Sequence, residues 1–160
     1  MTVRLRPLRD DEVPRFIDEL RDEYVRGLME DASMSRQDAG EKADSDHAAL
    51  FPGGRPQADH HMYVVEDEFG EPVGHLFWAK RLAPGSGSVS RAFLYQVYID
   101  EPFRGRGHGR RAMELLEAEV RAEGLLGIDL NVWGGNDLAR SLYRKLGFEE
   151  RAVFMSRELG

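Results

Sequence analysis

The stretch that decides the fold runs from residue 92 to residue 109 and reads AFLYQVYIDEPFRGRGHG. Its first part, residues 92–99, is aromatic and apolar, which predicts a central β-strand. Its last part carries glycine at every second position, at Gly105, Gly107 and Gly109. Glycines let a backbone turn tightly and bring successive N–H groups toward one point. The stretch therefore predicts a strand followed by a turn that is rich in backbone donors.

An amphipathic helix is expected directly after this turn. Ala112, Leu116 and Val120 recur at four-residue spacing, and Gly124 follows as a stop signal. The N-terminus of a helix offers unpaired N–H donors and positive dipole character. Strand, turn and helix together predict an anion site of the size of a diphosphate.

The glycine spacing bears on the kind of ligand. A dinucleotide fingerprint needs G-x-G-x-x-G early in a βαβ unit, and a Walker loop needs Gly-Lys-Ser/Thr. Here the spacing is G-x-G-x-G, and two hairpin-linked strands precede it. Two alternatives stay open at this point: a tight connection without a ligand, and an RGG-type RNA segment. A single copy inside an acidic domain disfavours the RNA segment.

The flanking segments alternate strand and helix patterns. Phe16, Leu20, Tyr24 and Leu28 repeat every four residues and predict a helix after the acids at 10–12. Further helices are expected at about 35–50 and at 136–146, the second with a stripe of Leu138, Leu142 and Leu146, and a flexible loop at 83–90. Further strands are expected at 2–8, 62–66, 72–79, 128–133 and 152–156. The order β-α-α-β-β-β-α-β-α-β predicts an α/β (mixed α+β) fold, with a mixed sheet covered by helices.

Composition narrows the class of protein. The 160 residues predict one domain, spanning 1–160, and 41% hydrophobic with 32% charged residues is typical of a soluble globular chain. The absence of cysteine excludes disulfides and a cysteine nucleophile. No apolar run is long enough for a bilayer and the N-terminus lacks a signal-peptide core, so we expect a cytoplasmic protein without a membrane partner. A net charge of −7 argues against a nucleic-acid partner.

A second motif lies about 30 residues after the glycine turn. Asn136, Ala139, Tyr143 and the pair Gly147-Phe148 spell N-x-x-A-x-x-x-Y-x-x-x-G-F. Asn136 sits at a helix entry, and Ala139 and Tyr143 share one helix face. Each residue alone also has a purely structural interpretation: a cap, a packing aromatic and a C-terminal glycine.

Together the two motifs resemble the GNAT superfamily of acetyl-CoA-dependent N-acyltransferases. The family signature R/Q-x-x-G-x-G/A matches residues 104–109, and residues 97–99 match the strand that runs alongside the pantetheine. The element order fits from residue 2 to the end, although the specific motifs cover only about residues 94–148. The resemblance implies the GNAT fold, a central mixed, mostly antiparallel twisted sheet flanked by helices.

The resemblance also implies a division of labour. Backbone N–H groups of residues 106–110 would hold the CoA pyrophosphate, while Arg104 braces the turn. The backbone of Val97 and Ile99 would pair with the pantetheine like an added strand, and an N–H near Ile99 would polarise the thioester carbonyl. Asn136 would bond the pantetheine, and Tyr143 would protonate the departing thiolate or hydrogen-bond its sulfur. The residues that the resemblance assigns to CoA binding are Val97, Tyr98, Ile99, Arg104, Gly105, Arg106, Gly107, His108, Gly109, Arg110, Asn136 and Tyr143.

Arginine side chains near the turn and on the last helix are candidates for binding the 3′-phosphate of CoA. These are Arg110, Arg111, Arg140 and Arg144.

The implied reaction is direct transfer of an acetyl group from acetyl-CoA to a primary amine, with no metal. A base must accept the amine proton. Some family members place a glutamate on the strand before the glycine turn, but residues 92–99 contain no acid. The candidates are Glu23, His60, His61, His75, Asp129 and a water chain; Glu23, Tyr143 and Ile99 form the catalytic set. His60 and His61 are adjacent on a strand, so they face opposite ways and do not suggest a metal.

The sequence determines neither the acceptor amine nor the oligomeric state. The N-terminal half is acidic, which either attracts a cationic amine or is a solvated face. A small-molecule or peptide amine, including an antibiotic, a polyamine or a protein lysine, fits the resemblance, and homodimers are common among the relatives. The alternatives in function are a degenerate domain that binds acetyl-CoA as a sensor or scaffold, and a nucleotide-dependent enzyme. The acyl length and the general base are not determined.

Overall fold

The structure is a computed structural model that describes residues 2–82, 87 and 89–160. It contains five strands and four α-helices in the described part of the chain: β1 (Arg4–Pro7), α1 (Val13–Glu30), α2 (Arg36–Leu50), β2 (His60–Glu66), β3 (Pro72–Leu82), β4 (Val89–Ile99), α3 (His108–Ala122), β5 (Gly127–Leu130) and α4 (Asp137–Lys145).

The strands form one sheet in the order β1-β2-β3-β4-β5. The first three pairs are antiparallel, and β4 pairs with β5 in parallel. A short turn joins β2 to β3, whereas α1 and α2 lie between β1 and β2. Helix α3 makes the crossover that the parallel pair of β4 and β5 requires. The predicted mixed, mostly antiparallel sheet with flanking helices is confirmed.

Helices cover both faces of this sheet, and alternation along β3 supplies both interfaces. Leu76 and Trp78 are fully buried in the cluster that contains Met113 and Leu116 of α3. Phe77, between them, is buried in the other cluster, with Phe16 of α1. The α3 and α4 side therefore carries the glycine turn, and the α1 and α2 side forms the opposite face.

Local chemistry explains where the N-terminal helices lie. Phe16, Leu20 and Leu28 of α1 are buried, as their spacing predicts. Helix α2 begins after Ser35, whose Oγ accepts a hydrogen bond of 3.0 Å from the N–H of Asp38. The buried residues of α2 are alanines, Ala39 and Ala43. Small side chains let two helices approach closely, so α2 packs beside α1 despite its weak apolar pattern.

The predicted strand at 152–156 is wrong. No regular element follows α4 in the described chain, and Val153, Phe154 and Met155 are 67%, 92% and 85% exposed. A short apolar segment forms a strand only where a neighbouring edge accepts its hydrogen bonds, and no described strand is paired with this segment.

Three smaller expectations also changed. The strand predicted at 128–133 ends at Leu130, because the chain then turns toward α1. Leu138 is 72% exposed and does not belong to the buried stripe of α4. The loop predicted at 83–90 lies largely outside the described residues, and β4 already begins at Val89.

Candidate functional site

An opening between β4 and β5 dominates one end of the sheet. The pairing of the two strands stops at Leu94 and Leu130, whereas β4 continues to Ile99. No described strand lies beside β4 on that side after Leu94. The backbone of this part of β4 is therefore left with an open edge, at which an extended chain can hydrogen-bond.

A β-bulge at Tyr95 starts the opening. On β3, Phe77 faces Gln96 and Trp78 faces Leu94, so Tyr95 is the extra residue of β4. A bulge bends its strand and increases the local twist, and here it follows directly on the last pair with β5. The Tyr95 ring stacks on Phe77 at 4.7 Å and is 41% exposed on the α1 side.

The glycine turn lies at the far end of this open edge. Gly105 and Gly107 have φ angles of 74° and 85°, which other residues rarely adopt. Helix α3 starts at His108, and its first backbone hydrogen bond runs from the N–H of Arg111 to the carbonyl oxygen of Gly107. The N–H groups of residues 108–110 precede that bond and form the donor-rich helix start that binds anions.

Arginine side chains surround the turn. The guanidinium of Arg104 lies over the Tyr98 ring at 5.1 Å and bonds the backbone of β4. Outside the turn is a shallow cleft of about 400 Å³, lined by Arg106, Gly107, Arg110, Arg111 and Glu114. Glu114 is within 3.3 Å of Arg110 and 2.9 Å of Arg111, so one carboxylate faces two cations there. This excess of positive charge suits a phosphate group.

The first turn of α3 is packed into the core. His108 is buried, and its Nδ1 atom has no partner among the described residues. A Cβ atom on Gly109 would be 3.6 Å from Leu142 and 3.7 Å from Ile99, at ordinary contact distance. The helix start is therefore held between β4 and α4.

The residues of the second motif lie on α4. Asn136 caps this helix, because its Oδ1 accepts a hydrogen bond of 3.1 Å from the N–H of Ala139. Tyr143 packs against the same core cluster as Val97 and Ile99, and its ring is 5.6 Å from that of Phe148. Burial alone raises the pKa of Tyr143 to about 12. The Gly109 position lies close to Leu142 of α4 and to Ile99 of β4, so the two motifs are neighbours at this end of the sheet.

The structure separates the two adjacent histidines. The His60 ring lies 5.1 Å from Phe77 on the α1 side, whereas His61 stacks on Trp78 at 4.1 Å on the α3 side. His60 Nδ1 accepts a hydrogen bond of 3.2 Å from the N–H of Gln57, and burial lowers the pKa of His60. Burial therefore favours the neutral form of His60, and its Nδ1 lone pair already accepts the hydrogen bond from Gln57.

Two further base candidates are poorly suited to the task. Asp129 is bound by Arg91 through three hydrogen bonds of 2.8–3.0 Å, and that guanidinium holds the pKa of Asp129 below its usual value. His75 faces Tyr98 across β3 and β4, its ring lies 5.3 Å from Phe16, and burial lowers its pKa. It lies toward the Ile99 end of β4, away from the bulge.

Glu23 has a different setting because α1 crosses the opening. Phe16 lies over β3, with its ring 6.1 Å from Phe77. Gly27 instead contacts Trp133, three residues beyond the end of β5. Glu23 lies between these two points, one turn before Gly27, and its half-buried carboxylate pairs with Arg26 at 3.1 Å. Helix α1 therefore carries Glu23 across β4.

Sequence reasoning missed the bulge at Tyr95 and the contact of Trp133 with α1. Neither feature has a local signal, since both depend on residues far away in the chain. Among the described residues, no three or more Asp, Glu or His side chains form a group that could hold a metal ion. The helices in the described ranges are also too short or too polar to cross a membrane.

Comparisons with known proteins agree with this geometry. The model of the acetyltransferase (GNAT) family matches residues 15–148. An uncharacterized N-acetyltransferase of Bacillus subtilis (strain 168), YycN, is 28% identical over 159 residues, which cover 99% of this chain and 100% of YycN. The YycN crystal structure superimposes with a TM-score of 0.88 at 26% identity, covering 99% of both chains.

A more distant structure shares the fold alone. AAC(6')-Iy, in complex with the bisubstrate analogue CoA-S-monomethyl-acetylneamine, has a TM-score of 0.61 at 16% identity, covering 99% of both chains. The family match extends from α1 to the end of the second motif and includes both sides of the opening. The chain therefore belongs to the acetyltransferase (GNAT) family and is one of its N-acetyltransferases.

Proposed function

We propose that this chain transfers an acetyl group from acetyl-CoA directly to a primary amine of a small molecule or peptide. The observation that carries the proposal is the open edge of β4, which runs from the Tyr95 bulge to a glycine turn and the start of α3. This places a strand-like site for an extended chain beside a site for phosphate groups. An acyl-CoA matches this arrangement, because its extended pantetheine arm leads to a pyrophosphate.

The residues around the opening fit the cosubstrate. The N–H groups that start α3 would receive the pyrophosphate, and Arg106, Arg110 and Arg111 line the cleft outside. Val97 and Ile99 would offer their backbone groups to the pantetheine amides. The side chains of both residues pack into the core, so only the backbone of β4 is available for this pairing. AAC(6')-Iy, with the same fold, holds an analogue that joins CoA to the acceptor.

The proposed chemistry needs no covalent enzyme intermediate. The amine nitrogen attacks the thioester carbon, and a backbone N–H near Ile99 stabilises the negative charge that develops on the carbonyl oxygen. The C–S bond then breaks and the electron pair leaves with the sulfur. A pKa of about 12 keeps the Tyr143 hydroxyl protonated at neutral pH, so it can donate to this sulfur as the general acid.

Glu23 is the proposed general base. The acceptor amine is largely protonated at neutral pH and must lose a proton before or during attack. Glu23 lies on α1 between the Phe16 and Gly27 contacts, and its carboxylate has one ion pair, with Arg26. Asp129 instead accepts three hydrogen bonds from Arg91, and the Nδ1 atom of His60 accepts one from Gln57. Its half-buried carboxylate can accept that proton directly or through one water.

Release of free thiol from acetyl-CoA, measured over a panel of primary amines, tests the proposal. We expect turnover of at least one amine, and we expect Tyr143→Phe to lower kcat by about 10²–10⁴-fold with little change in CoA affinity. Leu138→Ala, an exposed position on the same helix, is the matched control. An unchanged kcat in Tyr143→Phe would exclude the tyrosine as the acid.

A degenerate domain that binds acetyl-CoA as a sensor is the second candidate. It is favoured by one observation, the absence of an acid on β4. Tight binding of acetyl-CoA without turnover of any amine would support the sensor.

Homodimer formation also remains a proposal, which sedimentation of the full chain would test.

A further inference from the structure

A close contact joins the C-terminal half of α1 to the loop that follows β5. A Cβ atom built on Gly27 would lie 2.2 Å from Nε1 and 2.7 Å from Cε2 of Trp133. The indole thus occupies the space that any larger residue at position 27 would need. Gly27 is buried and helical, so a turn or a positive φ does not explain the glycine. Its role in the structure is to seat the Trp133 ring.

A second contact repeats the arrangement one helical turn later. A Cβ atom on Gly135 would lie 2.6 Å from Oδ1 of Asp31. Gly27 and Asp31 are four residues apart on one face of the end of α1, and Trp133 and Gly135 are two residues apart on the loop. Gly134, between them, has no atom within 4 Å of the corresponding position. The loop therefore rests on α1 at two points.

The position of this loop is passed on to α4. Arg140 Nη1 donates a hydrogen bond of 2.9 Å to the carbonyl oxygen of Gly134. Asn136, the next residue after Gly135, caps the same helix. Any displacement of Trp133 therefore moves the loop, Asn136 and the helix that carries Tyr143. The contact joins the helix on one face of the opening to the helix on the other.

We propose that Trp133, seated on Gly27, is a positioning residue that sets the distance between α1 and α4 across the opening. The inference rests on the proposed function, because it assigns CoA binding to the opening. Trp133 acts through Asn136 and α4. A residue larger than glycine at position 27 displaces the indole, shifts the start of α4 and weakens CoA binding.

Calorimetry with CoA on the full chain tests this inference. We expect Gly27→Ala to raise the Kd for CoA by about tenfold, since displacements near 1 Å have large effects on positioned groups. Gly40→Ala, inside α2 and at ordinary contact distance from its neighbours, should bind like the wild type. Trp133→Leu removes the seated ring without a clash and should also weaken binding.

The double variant separates positioning from loss of stability. In Gly27→Ala/Trp133→Leu the new methyl group enters space that the indole has left, so binding should be no weaker than in Trp133→Leu alone. Fluorescence gives a readout that is independent of CoA. The chain has two tryptophans, and Trp78 is fully buried. Subtracting the Trp133→Leu spectrum isolates Trp133, whose emission should shift to the red in Gly27→Ala.

The outcomes are distinct. Wild-type affinity in Trp133→Leu, or additive losses in the double variant, would overturn the inference while leaving the proposed function intact. If Gly27→Ala fails to fold, the comparison of Trp133→Leu with the double variant still decides. A wild-type chain that binds no CoA would overturn the proposed function and this inference with it.

Discussion

Arg104 Nε donates a hydrogen bond of 2.7 Å to the carbonyl oxygen of Ile99, so the first residue of the glycine turn is tied to the last residue of β4. The same guanidinium covers the Tyr98 ring. These two contacts fix the angle at which the chain leaves the strand. They involve the strand end and the turn, so they couple the two parts of the proposed CoA site.

Replacing Arg104 by methionine keeps most of the apolar stem and removes both contacts. We expect the Kd for CoA to rise by about tenfold, which corresponds to the loss of one hydrogen bond from a charged donor. Arg121→Met, at the exposed opposite end of α3, is the control. Titration calorimetry measures both, and equal affinities for the two variants would contradict a bracing role for Arg104.

Glu23→Gln tests the proposed base. Removing a general base costs about 10²–10⁴-fold in rate, so we expect a fall in kcat of this size with the Kd for CoA unchanged. The control is Asp22→Asn, because Asp22 is the neighbouring acid and is exposed. A kcat of Glu23→Gln that equals that of Asp22→Asn would assign the proton to another group.

The parts of this fold that sequence predicts are those with local signals. Residues 92–109 place a strand, a turn and a helix start because apolar runs, glycines and helix periodicity all act within a few residues. Ser35 and Asn136 are predicted as helix starts for the same reason, since a cap bonds an N–H group three residues away. These local signals are sufficient to identify the family and to assign both motifs to their turn and helix.

The features that sequence does not predict depend on distant partners. Tyr95 becomes a bulge only through the register of β4 on β3. In the sequence, Gly27 is only a residue of low helix propensity. Its packing role becomes visible in the structure, where Trp133 lies against it. The apolar segment at 152–156 has the composition of a strand but pairs with no described strand. Pairing partners are set by tertiary structure, which a single segment does not encode.

Gly74 is tightly packed and Gly40 is not, so alanine substitutions at the two positions test the packing between β3 and β4. A Cβ atom on Gly74 would lie 2.0 Å from the carbonyl oxygen of Tyr98 on β4. Gly40 is inside α2, and the nearest atom to its Cβ position is 3.7 Å away, on the Arg21 side chain. Gly74→Ala should lower the free energy of unfolding by about 2–4 kcal/mol, because the strands must separate.

Gly40→Ala should instead raise the free energy of unfolding by about 0.5–1 kcal/mol, since alanine loses less backbone entropy in a helix. Urea denaturation followed by circular dichroism gives both values. Two variants of equal stability would show that β3 and β4 are not as close at Gly74 as described. The Gly40 variant should also keep the affinity of the wild type for CoA.

Acid stability should depend on Glu12. Hydrogen bonds from Arg6 and from the N–H of Arg9 lower the pKa of Glu12 from 4.5 to about 2. Above pH 4.5 the carboxylate is ionised in the folded and unfolded chain, and its contribution to stability is complete. As the pH falls toward 2 the unfolded chain binds the proton first, so the contribution declines and is lost below the folded pKa.

Glu12→Gln removes this contribution, which is about 1 kcal/mol once solvent screening of a partly exposed pair is included. The free energy of unfolding of the variant should therefore lie below that of the wild type at pH 6, and the two should converge near pH 2. Glu158→Gln, in the exposed C-terminal segment, should match the wild type at every pH. A constant difference between Glu12→Gln and the wild type across this range would show that the glutamate acts through packing and not through its charge.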